Sequence, residues 1–123
     1  MQRHYDTIAE QQRGPFKIIV DKPWEDLNPR DHFEADDIEE ICRKIDNCTY
    51  DWFMLRTRVF YEGVELAAAY LGGCLYEDAA EVMTDGVAED QIYSALQHAR
   101  VEAAAMKKKF AALDENVVDS LVS

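Results

Sequence analysis

The segment from Tyr50 to Tyr76 constrains the fold more than any other part of the chain. Residues 52–61 are rich in aromatic and β-branched side chains, and Glu62-Gly63 has the form of a two-residue hairpin turn. Once that turn is assumed, the register follows. The predicted pairs are Tyr61 with Val64, Val59 with Leu66, Thr57 with Ala68, and Leu55 with Tyr70. These pairs form one continuous apolar face, so the segment predicts an antiparallel hairpin with one face in the core.

The opposite face of the first strand mixes large apolar groups with two bases. Its members are Trp52, Met54, Arg56, Arg58 and Phe60. An aromatic face that carries arginines can stack bases or grip a phosphate, which makes Trp52, Arg56, Arg58 and Phe60 a candidate binding face. In the other interpretation, further elements or a second subunit cover this face and local carboxylates pair with the arginines. The second interpretation is favoured, because nothing else basic surrounds the two arginines.

A short helix over residues 65–71 is the rival structure for the second half of the hairpin. This stretch is rich in alanine, and Gly72-Gly73 behind it suits a helix cap. The cross-strand register nevertheless produces a single buried face without further assumptions. We therefore predict the hairpin.

Three further segments show regular patterns. Residues 16–20 are a β-branched run that predicts a strand, and residues 78–84 predict a short helix. An apolar stripe predicts a helix over residues 37–47, with Asp36 and Glu39 as a start that resembles a capping box. The members of that stripe are Ile38, Ile41, Cys42 and Ile45. The predicted fold class is α+β: a small antiparallel β-hairpin or three-stranded sheet packed against one short and one long α-helix.

The long helix is predicted over residues 88–113. Its apolar side chains recur at alternating intervals of four and three residues: Ile92, Leu96, Ala99, Ala103, Met106, Phe110 and Leu113. This stripe either lays the helix on the sheet or pairs with the same stripe of a second copy, giving a homodimer through the long helix. A helix of roughly 39 Å is longer than a domain of this size needs to cover its sheet, which keeps the dimer open.

The two ends of the chain are polar. We expect residues 1–14 to form a mobile polar leader, residues 15–113 a single α+β domain, and residues 114–123 an acidic C-terminal tail. The opening residues lack the apolar run of a signal peptide or anchor, and no stretch is long enough to span a membrane. The three cysteines are an odd number without CxxC spacing. They predict reduced thiols in a cytoplasmic protein. The lack of a long apolar stretch predicts no membrane association.

Charge decides which partners suit the chain. It has 25 acidic against 13 basic residues, a formal net charge of −12. The excess lies in residues 21–51, with 11 acids and 4 bases, and in residues 62–90, with 8 acids and no base. Such a balance excludes direct binding to DNA, RNA or an anionic membrane by the whole surface, and it favours a basic nucleic-acid-binding protein or complex.

Carboxylates several ångströms apart can imitate the phosphates of a nucleic acid. The candidates for partner binding are Asp36, Asp37, Glu39, Glu40, Glu77, Asp78, Glu81, Asp85, Glu89 and Asp90. The competing interpretation is a solvated acidic surface that maintains solubility. The sequence does not show whether the two acidic segments adjoin.

Nothing in the chain matches a catalytic signature. The three histidines show no metal-ligand spacing with one another or with the cysteines, and the phosphate-binding and nucleophile motifs are absent. We expect a protein that is not an enzyme and that uses no metal or other cofactor.

The stretch from Trp52 to Tyr76, with its Glu62-Gly63 turn, the sequence YLGGCLYED and the acidic helices after it, resembles small accessory proteins of phages and other mobile elements. Size, acidity and this segment are also similar to those of antirestriction and anti-CRISPR proteins. The resemblance covers about a fifth of the chain closely and carries over no functional residue. It implies a non-enzymatic inhibitor of a host defence system, which binds and blocks a basic nucleic-acid-handling host protein. The alternative is a small binding module that uses the candidate binding face of Trp52, Arg56, Arg58 and Phe60 for a peptide or single-stranded nucleic acid.

Overall fold

Four antiparallel strands form a sheet in the order β1-β2-β3-β4 in the computed structural model, which describes residues 6–23, 27–32, 37–113 and Leu121. The strands are β1 (Asp6–Arg13), β2 (Phe16–Lys22), β3 (Asp51–Tyr61) and β4 (Val64–Tyr76). The helices are α1 (Pro29–His32), α2 (Ile38–Asp46), a 3₁₀ helix (Ala79–Met83) and α3 (Val87–Ala111). The predicted α+β class is confirmed, with four strands in the described part of the chain where two or three were expected.

The additional strand, β1, lies in the segment for which a mobile leader was predicted. It pairs with β2 across a turn at Gly14-Pro15, where Gly14 has a φ of 58°, a conformation that glycine adopts without strain. A register shift between Thr7 and Ala9 accompanies the packing of both Ile8 and Ala9 against the core. An edge strand of this kind needs few apolar residues, so its sequence lacks the alternation by which a strand is recognised.

The predicted turn between β3 and β4 is confirmed. Glu62 and Gly63 have φ values of 49° and 80°, and two positive φ angles are what a type I′ hairpin turn requires. Tyr61 pairs with Val64 as predicted. The strand β4 continues through residues 65–71, which decides against the short helix there.

Beyond the turn, the predicted register is wrong by one residue from Val59 to Leu55 and, after a second shift, by two residues from Phe53 to Asp51. The pairing shifts between Val59 and Phe60, so the observed pairs are Val59 with Ala67, Thr57 with Ala69 and Leu55 with Leu71. The bulge allows Leu66 and Ala67 to pack against the core together, and it moves Tyr70 to a position opposite Arg56. A run of three alanines specifies register weakly because it lacks polar and apolar alternation.

The helix α3 lies against one face of the sheet and closes the core. Its residues at the contact are mostly alanine, which allows a close approach between helix and strands. The buried core side chains are Ile18 and Val20 from β2, Phe53, Leu55 and Val59 from β3, Cys74 from β4, Ala79 and Val82 from the 3₁₀ helix, and Ala88, Ile92, Ala95 and Ala99 from α3. The alternate residues of β3 therefore face α3, as predicted for its apolar side.

The long apolar stripe of α3 divides into two parts. Ile92 and Ala99 are buried against the sheet, so the core interpretation is confirmed for this part. Ala103 and Met106 are half-buried, and Phe110 is exposed. The end of the stripe has no cover among the described residues, and pairing with a second copy stays a prediction.

The smaller helices follow their predictions with local differences. The helix expected over 37–47 is α2, in which no residue is buried and Asp37 at the N-cap makes no side-chain capping bond. Asp36 lies outside the described residues, and Glu39 binds Arg30 instead of the helix start. The short helix expected over 78–84 is the 3₁₀ helix. None of the described helices combines the length and apolar character needed to cross a membrane.

A buried polar contact joins α3 to the middle of β3. The Thr57 hydroxyl donates to Gln91 Oε1 at 2.6 Å, and Gln91 Nε2 donates to the Leu55 carbonyl at 3.1 Å. Both side chains are buried, so each satisfies a group that water cannot reach. This contact fixes the helix at one position along the strand.

Replacing Gln91 by alanine should therefore lower the free energy of unfolding by about 1–3 kcal/mol, because two buried polar groups lose their partners. Urea denaturation measures the change. The matched control is Gln97→Ala, since Gln97 lies on the same helix, is half-buried, and makes no hydrogen bond with the described residues. Equal effects of the two substitutions would contradict the role given to Gln91.

Candidate functional site

A cleft with acidic walls lies at the end of the sheet where β3 begins and β4 ends. It has a volume of about 640 Å³. Its lining residues are Lys22, Ile45, Cys48, Tyr50, Asp51, Trp52, Glu77, Asp78 and Ala79. We call it the acidic cleft.

The hairpin register brings the acids of this cleft together. Asp51 is the first residue of β3 and pairs with Tyr76, the last residue of β4. Glu77 and Asp78 therefore emerge beside Asp51, although they are distant in the sequence. The two acidic segments, 21–51 and 62–90, meet here.

One base accompanies the three carboxylates of the acidic cleft. Lys22 Nζ lies 2.7 Å from Asp51 Oδ2, in a contact that is partly shielded from water. Three carboxylates and one ammonium leave the lining at −2. Tyr50 and Trp52 add aromatic groups to the same walls. Carboxylates beside aromatic rings form a suitable environment for a guanidinium or ammonium group.

Two of the predicted partner-binding carboxylates instead accept hydrogen bonds from arginines of the same chain. Glu39 Oε2 accepts from Arg30 Nη2 at 3.0 Å, and Glu89 Oε2 accepts from Arg13 Nη2 at 2.9 Å. In each case the hydrogen bond from the arginine lowers the pKa of the glutamate below its ordinary value. The contact of Glu89 ties the first turn of α3 to β1.

Asp85 has a structural role at the start of α3. Its carboxylate accepts the hydroxyl of Tyr76 at 2.6 Å and the backbone N–H of Val87 at 2.9 Å. The Tyr76 hydroxyl, followed by the Val87 N–H, lowers the pKa of Asp85. Burial, followed by the hydrogen bond to Asp85, raises the pKa of Tyr76 from 10.0 to about 12.

The remaining candidates divide by position. Asp78 lines the acidic cleft and also caps the 3₁₀ helix, since Oδ1 accepts the N–H of Ala80 at 3.0 Å. Glu40 lies 3.6 Å from Lys44. Four exposed carboxylates form no side-chain hydrogen bond or ion pair with the described residues: Asp37, Glu77, Glu81 and Asp90.

The structure does not gather all of these acids into one site. Ile45, near the C-terminal end of α2, lines the acidic cleft, whereas Asp37 precedes the first turn of that helix. Eight residues of helix separate the two positions by roughly 12 Å. Glu77 and Asp78 belong to the acidic cleft, and the acids at the start of α2 lie apart from it.

The two arginines of the aromatic face have an internal counter-ion. Arg56 Nε and Nη2 donate to the two oxygens of Asp21 at 2.8 and 2.7 Å, and Arg58 Nη2 donates to Oδ2 at 2.8 Å. Asp21 is 2% exposed and lies opposite Arg56 in the β2–β3 register. Glu65 Oε1 lies 3.9 Å from Arg58. The interpretation in which local carboxylates pair with these arginines is confirmed.

The aromatic members of that face lie far apart. Trp52 lines the acidic cleft and donates from Nε1 to the Leu27 carbonyl at 2.9 Å. Phe60 lies near the hairpin turn, with the Arg58 guanidinium 5.3 Å from its ring centre. Eight residues of strand separate Trp52 from Phe60, a distance of roughly 26 Å. The candidate face is therefore not one compact patch.

Two residues of this region were not singled out from the sequence, Asp21 and Asp51. Alternation along β2 places Asp21 on the face opposite Ile18 and Val20, and this much is readable from the sequence. Its pairing with Arg56 depends on a contact 35 residues apart in the chain. No local pattern encodes such a register.

Within the described ranges, no three histidine, cysteine, aspartate or glutamate side chains are grouped so that they could hold a metal ion. Comparisons of the chain with models of protein families, with curated proteins and with solved structures give no match.

Asp21→Asn should lower the free energy of unfolding by about 3–5 kcal/mol, because it leaves Arg56 largely buried beside a neutral group. The control is Asp51→Asn. Asp51 is 35% exposed where Asp21 is 2% exposed, and it has one basic partner instead of two, so the expected loss is smaller, about 1 kcal/mol. Urea denaturation of both variants provides the comparison. A loss for Asp21→Asn no larger than that for the control would show that the arginine cluster does not stabilise the sheet.

The raised pKa of Tyr76 predicts a loss of stability in alkali. A group whose pKa is higher in the folded state contributes stability that is complete below its unfolded pKa and disappears as the pH rises through the folded value. For Tyr76 this interval runs from about 10 to about 12. Tyr76→Phe should flatten the fall in the urea midpoint across it, and Tyr93→Phe, at an exposed site, should leave the fall unchanged. The same fall in Tyr76→Phe as in the unmodified chain would refute the assignment.

Proposed function

We propose that the protein is a non-enzymatic inhibitor that binds a basic nucleic-acid-handling host protein in the cytoplasm and blocks it, in the manner of antirestriction or anti-CRISPR proteins. The acidic cleft and the exposed carboxylates that follow it form the docking surface. The observation that supports this proposal is the meeting of Asp51, Glu77 and Asp78 in one cleft, with aromatic side chains in the same walls. The partner's basic side chains, which otherwise bind the phosphates of a nucleic acid, contact the carboxylates of this surface instead.

The exposed carboxylates set the electrostatics of docking. The side-chain carboxylates of Glu77 and Glu81 form no hydrogen bond or ion pair with the described residues, so their charge is available to a neighbouring molecule. A net charge of −12 attracts a basic surface over a distance of about a Debye length, which accelerates association at low salt. The partner's nucleic-acid site is then occluded by the bulk of the domain. Binding of this type weakens as the ionic strength rises.

No observation favours a nucleic acid on the aromatic face. The charges of Arg56 and Arg58 are directed at Asp21, and a phosphate would have to compete with that buried carboxylate. Direct binding of DNA or RNA is accordingly not part of the proposal.

Charge reversal on the docking surface tests the proposal. Glu77→Lys combined with Glu81→Lys should weaken binding to the partner at least about tenfold, since each change places like charges in contact. A variant with Glu10→Lys and Glu102→Lys carries the same change in net charge at other exposed positions and should bind nearly as the unmodified chain does.

Affinity purification from the host at low and high salt, with identification by mass spectrometry, supplies the partner. The purified partner is then titrated with each variant, and the release of its nucleic acid is measured. We expect a basic nucleic-acid-binding protein to be captured at low salt and lost at high salt. The unmodified chain and the control variant should both release the nucleic acid from this partner. Equal affinity of the Glu77/Glu81 variant, or a partner that keeps its nucleic acid, would overturn the proposal.

A further inference from the structure

An apolar groove runs between the last turns of α3 and the hairpin turn. It has a volume of about 580 Å³. Its lining residues are Phe16, Tyr61, Glu62, Val64, Leu66, Ala103, Met106, Lys107 and Phe110. Seven of these nine residues are apolar. Removing their exposed surface from water is favourable.

The apolar stripe of α3 continues past the part of the sheet that covers it. Phe110 follows Ile92 by 18 residues, about five helical turns, and therefore lies on the same side of the helix. Ile92 is buried, whereas Phe110 is 65% exposed and Leu113 is 54% exposed. On the facing wall, Tyr61 is 46% exposed and Val64 is 50% exposed. The same patch thus offers projecting apolar side chains and a groove that can receive them.

The groove also has one charged residue of each sign, on opposite walls. Glu62 lies on the hairpin wall and Lys107 on the helix wall, and no ion pair joins them among the described residues. Lys108 and Lys109 extend the basic side. A two-fold axis through the groove would bring Glu62 of one copy towards Lys107 of the other, twice. The groove is therefore complementary in charge to the same groove of a second copy.

We infer that this groove is the interface of a homodimer in which the end of α3 of one copy packs into the groove of the other. Repulsion between two chains of charge −12 opposes association elsewhere, but residues 91–113 carry four bases and one acid. In the inferred dimer this basic end of one copy faces the hairpin wall of the other, which carries Glu62. The dimer uses the last turns of the helix, while the preceding turns are held in the core.

The groove lies far from the acidic cleft. Tyr61 and Asp51 stand at opposite ends of β3, ten residues apart, which corresponds to roughly 33 Å. The dimer inference is therefore independent of the proposed function, and each can fail without the other. A dimer would present two acidic clefts to a basic partner.

Sedimentation equilibrium over a concentration series tests the dimer. The full chain should approach twice its 14.1 kDa mass as the concentration rises. Phe110→Glu should give the monomer mass at the same concentrations. Val101→Glu should dimerise as the unmodified chain does, because Val101 is 67% exposed on the opposite side of α3. Both substitutions are at exposed positions, and circular dichroism checks that the fold is kept.

The charge pair gives a second, specific test. Glu62→Lys or Lys107→Glu alone should weaken dimerisation at least about threefold, and the two together should restore it, since each single change opposes like charges across the axis. A chain that stays monomeric at every concentration would overturn the inference, as would a dimer that persists in Phe110→Glu.

One monomeric outcome would identify another occupant. If the chain is a monomer and the Met106 methyl resonance shifts in Val117→Asp/Val118→Asp, the groove holds the C-terminal segment of its own chain, and the dimer inference is wrong. In the dimer, by contrast, the Met106 resonance stays unchanged in the Val117/Val118 variant.

Discussion

The carboxylate of Asp21, held between the guanidinium groups of Arg56 and Arg58, is the interaction on which the rest of the structure depends. It joins β2 to β3 on the face of the sheet turned away from α3, and it does so with 2% of its surface exposed. A buried carboxylate is tolerated only with compensating charge and hydrogen bonds, which two arginines supply. The register of β2 and β3 is therefore specified from both faces: by Ile18 and Val20 in the core and by Asp21 opposite Arg56.

This interaction also determines where charge remains for a partner. The two arginines of the sheet are directed inwards, so the basic groups at the centre of β3 contribute little to the outer surface. At the open end of the hairpin, where β3 begins and β4 ends, three carboxylates share one base. Asp51, Glu77 and Asp78 line the acidic cleft together with Lys22. Several acids first considered for partner binding have structural roles instead: Asp85 holds Tyr76 and the start of α3, and Glu89 holds Arg13.

Three features were predictable because neighbouring residues encode each of them. Glu62-Gly63 encodes the hairpin turn, the apolar stripe encodes the long helix, and alternation encodes the apolar side of β3. The features that were missed depend on distant pairing. The edge strand β1 is stabilised by β2 more than by its own sequence, and the bulge at Leu66 depends on how Leu66 and Ala67 pack under α3. The meeting of Asp51 with Glu77 follows from the strand register, so the two acidic segments were predictable and the acidic cleft was not.

The proposed function requires that the protein bind basic groups through the acidic cleft and that it not bind nucleic acid through β3. Mapping of amide chemical shifts by NMR, with an oligoarginine peptide in one titration and a single-stranded oligonucleotide in the other, tests it with purified components. We expect the peptide to shift the amides of Asp51, Glu77 and Glu81 in a manner that salt suppresses, and the oligonucleotide to shift none of them. Oligonucleotide-dependent shifts at Arg58 and Phe60, with no response to the peptide, would contradict it.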